Sequence, residues 1–573
     1  MKIRSLIFLF LCGCASVSFT QNNTSKELAE KIRQVESNLL IGPYEVEDEP
    51  GSTIEERMAF YKVKGLSIAV IDNYQIEWAK GYGWADSAEG RKVTPETIFE
   101  PGSISKSLNA MGFLKLVQEG KIDLNKDINE QLISWKFPYD KKSKGNKITP
   151  AHLLSHTGGL SQHGFPGYYY SDTFPTLLQI LDGKKPANTE AVRSLFEPGK
   201  KHQYSGGGSM ISEILLTDVT GQAYDRYMEE AIFKALAMNN SFFTQPPPVE
   251  RKKQLATGYD RYGNEIKGKY PILLEQAAGG LWTTPADLCK FIIELQRSFK
   301  GESNKVLTQP TVKKMMTAVA DAGRDSVGLG VFFPKTRSAR YFSHGAGNQG
   351  FRGVYFGSLE GGRGVVIFTN SEEGNILTEL AGSVAKVYHW EEFGISEKRK
   401  AVPVPDSVIA RYEGIYRVDG TIGSVVKTSE GYRFFTSNKY WKMYFTSDSS
   451  FFNRESSSDK VFRKTRQGYQ MDRYVKGKKI TTSEKITVAK LPPDLKKKYC
   501  GSYKLDQLLE IEIIGDDLFL TFEQNKWKMR FYSEKDFFLD EIPNNIFTFQ
   551  FKKDKVTGFR EKGEDPSEAI KIK

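Results

Sequence analysis

Ser103-Ile104-Ser105-Lys106, Tyr204-Ser205-Gly206 and His344-Gly345-Ala346 are three short polar words in a chain of 573 residues. In that order they offer a serine nucleophile, a two-part proton relay and a strand that can bind an electrophile, the parts of an acyl-transfer site. The bare pattern S-x-x-K is weak, because it also spans Ser383 to Lys386, Ser424 to Lys427 and Ser457 to Lys460. Context separates Ser103: Pro101-Gly102 makes a turn, and Leu108, Met111, Leu114 and Val117 then recur at helical spacing up to the breaker Gly120. The spacing predicts a helix opened by Ser103, with Lys106 one turn later on the same face. A serine hydroxyl needs a base within hydrogen-bond reach, and a partly buried lysine without a carboxylate partner can act as one. The helix N-terminus adds free N–H groups and a positive field for the oxyanion.

Further words surround these. They are Gly65 to Val70 with Gly81-Tyr82-Gly83, Phe99 to Lys106, Leu153 to Leu160, Tyr204 to Gly208, Ala278 to Trp282, and Ser343 to Phe351. Together this series resembles the serine β-lactamase and penicillin-binding protein superfamily, in its class C β-lactamase-like branch of D-alanyl-D-alanine carboxypeptidases, esterases and β-lactamases. The resemblance covers roughly residues 55 to 390 and implies an α/β (α+β) fold in which an antiparallel sheet packs against a helical region. It implies Ser103 as the acylated nucleophile, and Lys106 and Tyr204 sharing its proton and passing it to the leaving group. A phenol becomes a usable base only beside cations, and Lys106 and His344 are expected to supply them. The strand from His344 is implied to line the site, with Gly345 and Ala346 against the substrate and the N–H groups of Ser103 and Gly347 forming the oxyanion hole.

Two departures bear on the substrate. Gly206 stands where the branch often has asparagine, so a side-chain contact to the substrate amide is missing and β-lactam hydrolysis is disfavoured. His344 stands where β-lactamases usually carry lysine, and Ala346 where glycine is usual. With an unperturbed imidazole titrating at about pH 6.5, the anchor for a substrate carboxylate is expected to be weaker and pH-dependent. The reading is an exported serine hydrolase acting on a D-amino-acid peptide, a peptidoglycan fragment or a small amide or ester. A true β-lactamase and a non-catalytic penicillin-binding or scaffolding protein are the alternatives. No cofactor is implied. His152 and His156 are four apart but lack the H-E-x-x-H glutamate, so a helix-to-loop role outweighs a metal site. Neither a phosphate loop nor a G-x-S-x-G elbow is present.

The 81 Lys and Arg against 70 Asp and Glu give a formal net charge of +11, spread along the chain rather than gathered into a nucleic-acid footprint. Lys2 and Arg4 followed by an apolar run from Leu6 to about Phe19 suit a secretory signal over residues 1–20. Leu11-Cys12-Gly13-Cys14 resembles a lipoprotein box, so cleavage before Cys14 and a lipid anchor there stand as the alternative. The protein is therefore expected to be periplasmic, secreted or membrane-anchored. Cys289 and Cys500 fall in different expected domains, and no disulfide between them is expected.

Apolar alternation predicts a hairpin from Leu66 to Ile71 and Ile76 to Gly81, and strands at Val327 to Phe333, Phe351 to Phe356 and Gly364 to Thr369. A helical lead-in (residues 25–57) and a helical middle (209–236) are expected, with Thr284-Pro285-Ala286-Asp287 opening a helix. Strands from both ends of the domain imply one sheet. The hydrolase domain is placed at 25–395 and a linker at 396–408. Beyond it Tyr412 to Tyr416 recurs at Tyr499 to Tyr503, Trp441 to Phe445 at Trp527 to Phe531, and Phe451-Phe452 at Phe537-Phe538. The shared offset predicts two small all-β domains, 409–490 and 491–573, similar to lipocalin-like accessory modules, with Pro492-Pro493 at the joint.

Overall fold

The computed structural model describes residues 26–418, 421–436, 439–466, 468–505, 508–522, 525–540, 542–562 and 568–573. The expected signal segment, residues 1–20, and the expected lipid-anchor residue Cys14 lie outside them. The chain divides into two compact units: one runs to Leu40 and over Gly51–Ile395, the other comprises Ile41–Pro50 and Ser396–Lys573.

The first unit is built on a nine-stranded sheet in the order Arg91–Lys92, Gln75–Asp86, Gly65–Asp72, Gly364–Thr369, Phe351–Ser358, Tyr341–Asn348, Phe332–Pro334, Asp325–Val327, Ala320–Asp321. Strands from both ends of the unit meet at its centre, where Gly364–Thr369 pairs antiparallel with Gly65–Asp72. The central strands are apolar throughout because both faces are covered, and side chains alternate between two cores. Leu66, Ile68, Val70, Val365 and Ile367 enter one core with Ile376, Leu380 and Val384 of the helix Asn375–Val387. Ala69, Ile71, Val366 and Phe368 enter the other with Leu288, Phe291, Ile292 and Leu295 of the helix Pro285–Lys300. Thr284 caps that helix by accepting from Asp287 N at 3.2 Å. In the first core Arg57 holds Glu379 through two hydrogen bonds, 2.8 and 2.6 Å, and Tyr61 OH donates to the same carboxylate at 2.6 Å.

Two expectations are corrected in detail. The lead-in is not one helical stretch: residues 26–37 and Ile54–Tyr61 are helical, but Tyr44–Val46 is a strand. Residues 41–50, expected in the first domain at 25–395, belong instead with the C-terminal unit, since Tyr44–Val46 pairs in parallel with Glu397–Arg399 and Tyr44 packs edge-on against Phe452. A pairing between segments so far apart in the chain leaves no local periodicity to read.

In the second unit the two repeats form successive antiparallel meanders. The first copy is open between Lys439–Lys442 and Tyr444–Ser447, whereas the second is a closed eight-stranded barrel in which one strand, Asn525–Phe531, covers the equivalent stretch. Ile422 of the first copy packs with Phe538 and Ile546 of the second, so both lie in one compact unit.

Candidate active site

The turn that carries Ser103 begins at Gly102, whose φ is +50° and whose place a Cβ could not take without meeting Asn348 Oδ1 at 2.8 Å. Gly102–Ile104 is a 3₁₀ turn that runs into the helix Ser105–Gln118. Ser103 sits on this turn, partly exposed, and its hydroxyl caps nothing. Ser105 instead fixes the turn, donating to Gly102 O at 2.6 Å and accepting from Leu281 N at 3.0 Å. The helix is buried on all sides from Ser105 to Leu114, not on one face as the sequence spacing suggests.

That burial encloses Lys106, which is 4% exposed. Its Nζ lies 3.2 Å from Ser103 Oγ and donates to Ala278 O at 2.5 Å. Among the described residues no carboxylate pairs with it. Glu213 and Glu275, buried in the neighbouring segments, are pushed up to about 8 and about 7 by burial, and burial holds Glu100 well above the usual carboxyl range. Among the described residues the hydrogen-bond partners of the lysine are thus Ser103 Oγ and the Ala278 carbonyl.

Tyr204 precedes the helix Gly206–Thr220, and Lys106 Nζ stands 5.0 Å from the centre of its ring. Around the phenol are the rings of His156 at 4.3 Å, His163 at 4.8 Å, His344 at 6.4 Å and Phe332 at 6.4 Å; His202 adjoins His156 and Phe332. Four of the chain's six histidines thus gather here. His156 Nδ1 accepts from Ser205 N at 3.2 Å, which places the proton on Nε2 and fixes the tyrosine turn. Burial and the Lys106 ammonium hold His156 well below the ordinary imidazole range, and burial lowers His163 and His202 as well. Sequence reasoning missed these neighbours because His156, His163 and His202 come from separate segments with no shared spacing that points at Tyr204. His152, the other half of the weighed metal pair, caps its own helix by accepting from Thr149 N at 3.2 Å.

His344 corrects an expectation. Burial first, and the Lys106 charge second, push its imidazole down to about 3, so it is neutral at physiological pH and supplies no cation to Tyr204 or to a substrate carboxylate. Its Nδ1 lies 2.6 Å from Gly345 O, the contact that assigns the proton to Nδ1, and its buried Nε2 has no hydrogen-bond partner among the described residues.

The register of the strand Tyr341–Asn348 decides which of its backbone groups are free. Asn348 and Phe351 close a tight turn and must exchange ladder hydrogen bonds, so the bonded pairs are Asn348, Ala346 and His344. Ser343, Gly345 and Gly347 occupy the alternate positions and turn N–H and C=O to the opposite edge. Ser343 meets Phe332 there. Beyond it that edge carries no strand among the described residues, and Gly345 and Gly347 are exposed. Gly345 and Gly347 thus both turn an N–H toward that open edge, while Ala346 spends its backbone on Gly353 and packs its methyl on the core.

Gly206 is buried rather than facing a substrate. Its N–H donates to His163 O at 3.0 Å, and a Cβ there would lie 2.9 Å from the Phe165 ring and 3.1 Å from His163 O. The space an asparagine would need is filled by the segment His163–Phe165. Of the other S-x-x-K serines, Ser383 donates to Val35 O inside a helix, and Ser424 lies in a strand of the second unit.

A family profile described as Beta-lactamase matches residues 51–387. Protein flp of Staphylococcus aureus strain N315 is 25% identical over 291 residues, which are 49% of this chain and 54% of that protein. Teichoic acid D-alanine hydrolase of Staphylococcus aureus is 29% identical over 253 residues, 44% of this chain and 58% of its own length. The chain therefore spans little more than half the length of these relatives. The octameric penicillin-binding protein homologue from Pyrococcus abyssi shares the fold, with a TM-score of 0.54 at 21% identity over 82% of this chain and 97% of that one.

Proposed function

Because the chain belongs to the beta-lactamase family, we propose that it is an exported serine hydrolase which forms an acyl-enzyme on Ser103 from a small ester or amide of a D-amino acid. The observation that carries this reading is the 3.2 Å approach of Lys106 Nζ to Ser103 Oγ, in a buried setting where the amine has no carboxylate partner. In its neutral form the Lys106 amine takes the proton of Ser103 Oγ as that oxygen attacks the carbonyl, which returns Lys106 to the ammonium form that His156 and His344 face. The N–H groups of Ser103 and Gly347 take the oxyanion, and Tyr204, against Lys106, relays the proton to the departing oxygen or nitrogen. Water then repeats the sequence to release the acid.

The substrate class follows from what is neutral. With His344 uncharged, no fixed cation replaces the lysine of β-lactamases, which favours substrates without a carboxylate beside the scissile bond over penicillins. The missing asparagine at Gly206 points the same way. A D-alanyl ester fits these demands, in line with the relative named teichoic acid D-alanine hydrolase. The test is incubation with a fluorophosphonate, a fluorescent penicillin and a D-alanyl ester, followed by intact mass and peptide mapping. An adduct on Ser103 with turnover of the ester is expected, with slow penicillin labelling. No Ser103 adduct from any of the three would overturn the proposal.

A further inference from the structure

The fourth S-x-x-K match, Ser457 to Lys460, leads to a feature of the second unit that the hydrolase chemistry does not use. Lys460 lies on the strand Ser458–Thr465 and is only 6% exposed, in a cavity of about 310 Å³ walled by Phe434, Trp441, Met471, Asn453 and Arg473. Its Nζ stands 5.6 Å from the ring centres of both Phe434 and Phe451, and its hydrogen-bond partners are Ser458 O and Oγ, both at 3.4 Å. Among the described residues no carboxylate lies within ion-pair distance of it; Glu455 is the acidic group on the cavity wall. Burial, and then Arg473, push its amine down to about 8.

The repeat shows what this position would hold if it served packing alone. Phe451 pairs with Lys460, and its counterpart Phe537 pairs with Phe547, so the second copy places a phenylalanine where the first has the lysine. Phe547 stacks on Phe537 at 5.2 Å, as a core residue should. Across the next strand Lys460 pairs directly with Arg473, so two cationic side chains share this face of the sheet and add positive field to the cavity. The first copy is also the one that remains open, beside Trp441.

We infer that the first β copy is a binding site for a small organic anion, whose carboxylate or similar head lies on Lys460 in the field of Arg473 and whose flat apolar body lies on Phe434, Trp441 and Met471. The volume falls within the range of small-ligand sites, and a buried ammonium without a counter-ion is the group that such a head satisfies. The site lies within the second unit, and the inference does not rest on the hydrolase reading.

The test is calorimetric titration of the full chain with 1-naphthylacetate and with the matching neutral amide. The acid is expected to bind at least tenfold more tightly than the amide. Lys460→Gln should bring the two affinities together, Lys460→Phe, copying the sister barrel, should abolish both, and Lys460→Arg should keep the preference. Hydrolysis of a small ester should be unchanged in all three. Equal binding of acid and amide, absence of saturable acid binding, or an acid preference that survives Lys460→Gln would each overturn the inference.

Discussion

His344→Gln tests the electrostatic account of the active site through stability as well as rate. A free imidazole titrates at about 6.5, and in the folded protein His344 is pushed down to about 3. The unfolded chain therefore takes up a proton that the folded one refuses. Stability from this group is complete above the unfolded value and is lost as pH falls toward the folded one. At about 1.4 kcal/mol per pKa unit, the loss between pH 7 and pH 5 comes to about 2 kcal/mol. Glutamine can still donate to Gly345 O but does not titrate. Denaturant unfolding followed by fluorophosphonate labelling competence should show the parent losing that amount relative to the variant over the same interval. Histidine NMR of the chain's six imidazoles, with His344 assigned by its absence in the variant, should show no inflection for it between pH 8 and pH 5. Correspondingly, kcat/KM for an uncharged ester should contain no limb that the substitution removes, and His344→Lys should raise kcat/KM selectively for a carboxylate-bearing substrate matched in leaving group. A His344 midpoint near the free-imidazole value, or stability curves that stay parallel, would refute the reasoning.

Ser103→Ala should abolish adduct formation and turnover while leaving the melting temperature unchanged, because this hydroxyl caps no helix; an adduct mapped to Ser383, Ser424 or Ser457 would point to another nucleophile. Lys106→Met should slow acylation about 100- to 10,000-fold, and a near-normal single-turnover rate would remove Lys106 from the mechanism. Gly206→Ala should destabilise the first unit by about 1–3 kcal/mol through overpacking, with Phe165→Ala in the same chain recovering part of the loss by vacating the ring it meets; additive losses would show that the contact is not the cause. Glu379→Gln should cost about 3–5 kcal/mol, since it removes the buried carboxylate charge with which the Arg57 guanidinium pairs, and denaturant midpoints of the two proteins measure it.

Much of this was legible in the sequence because it is local. The turn at Pro101-Gly102, the one-turn spacing of Ser103 and Lys106, the alternation of Leu66 to Ile71 and the echo of Trp441 to Phe445 at Trp527 to Phe531 all follow from the helical period, the strand period and the length of one domain. Gly347 is named by the family resemblance, yet its free N–H depends on which edge of the strand is unpaired. Only the closed turn at Gln349-Gly350 and the end of the pairing with Phe332 fix that edge. The charge of His344 was misread for a related reason. Residue type gives the intrinsic affinity for a proton, but desolvation and the ammonium of Lys106, brought in on a helix from the other end of the unit, decide whether it is bound. The burial of Gly206 beneath Phe165, the imidazoles around Tyr204 and the pairing of Tyr44–Val46 with Glu397–Arg399 are likewise contacts between distant segments. Such contacts carry no signature in the neighbouring residues, since the energy that selects them arises from packing and desolvation once the sheet has closed.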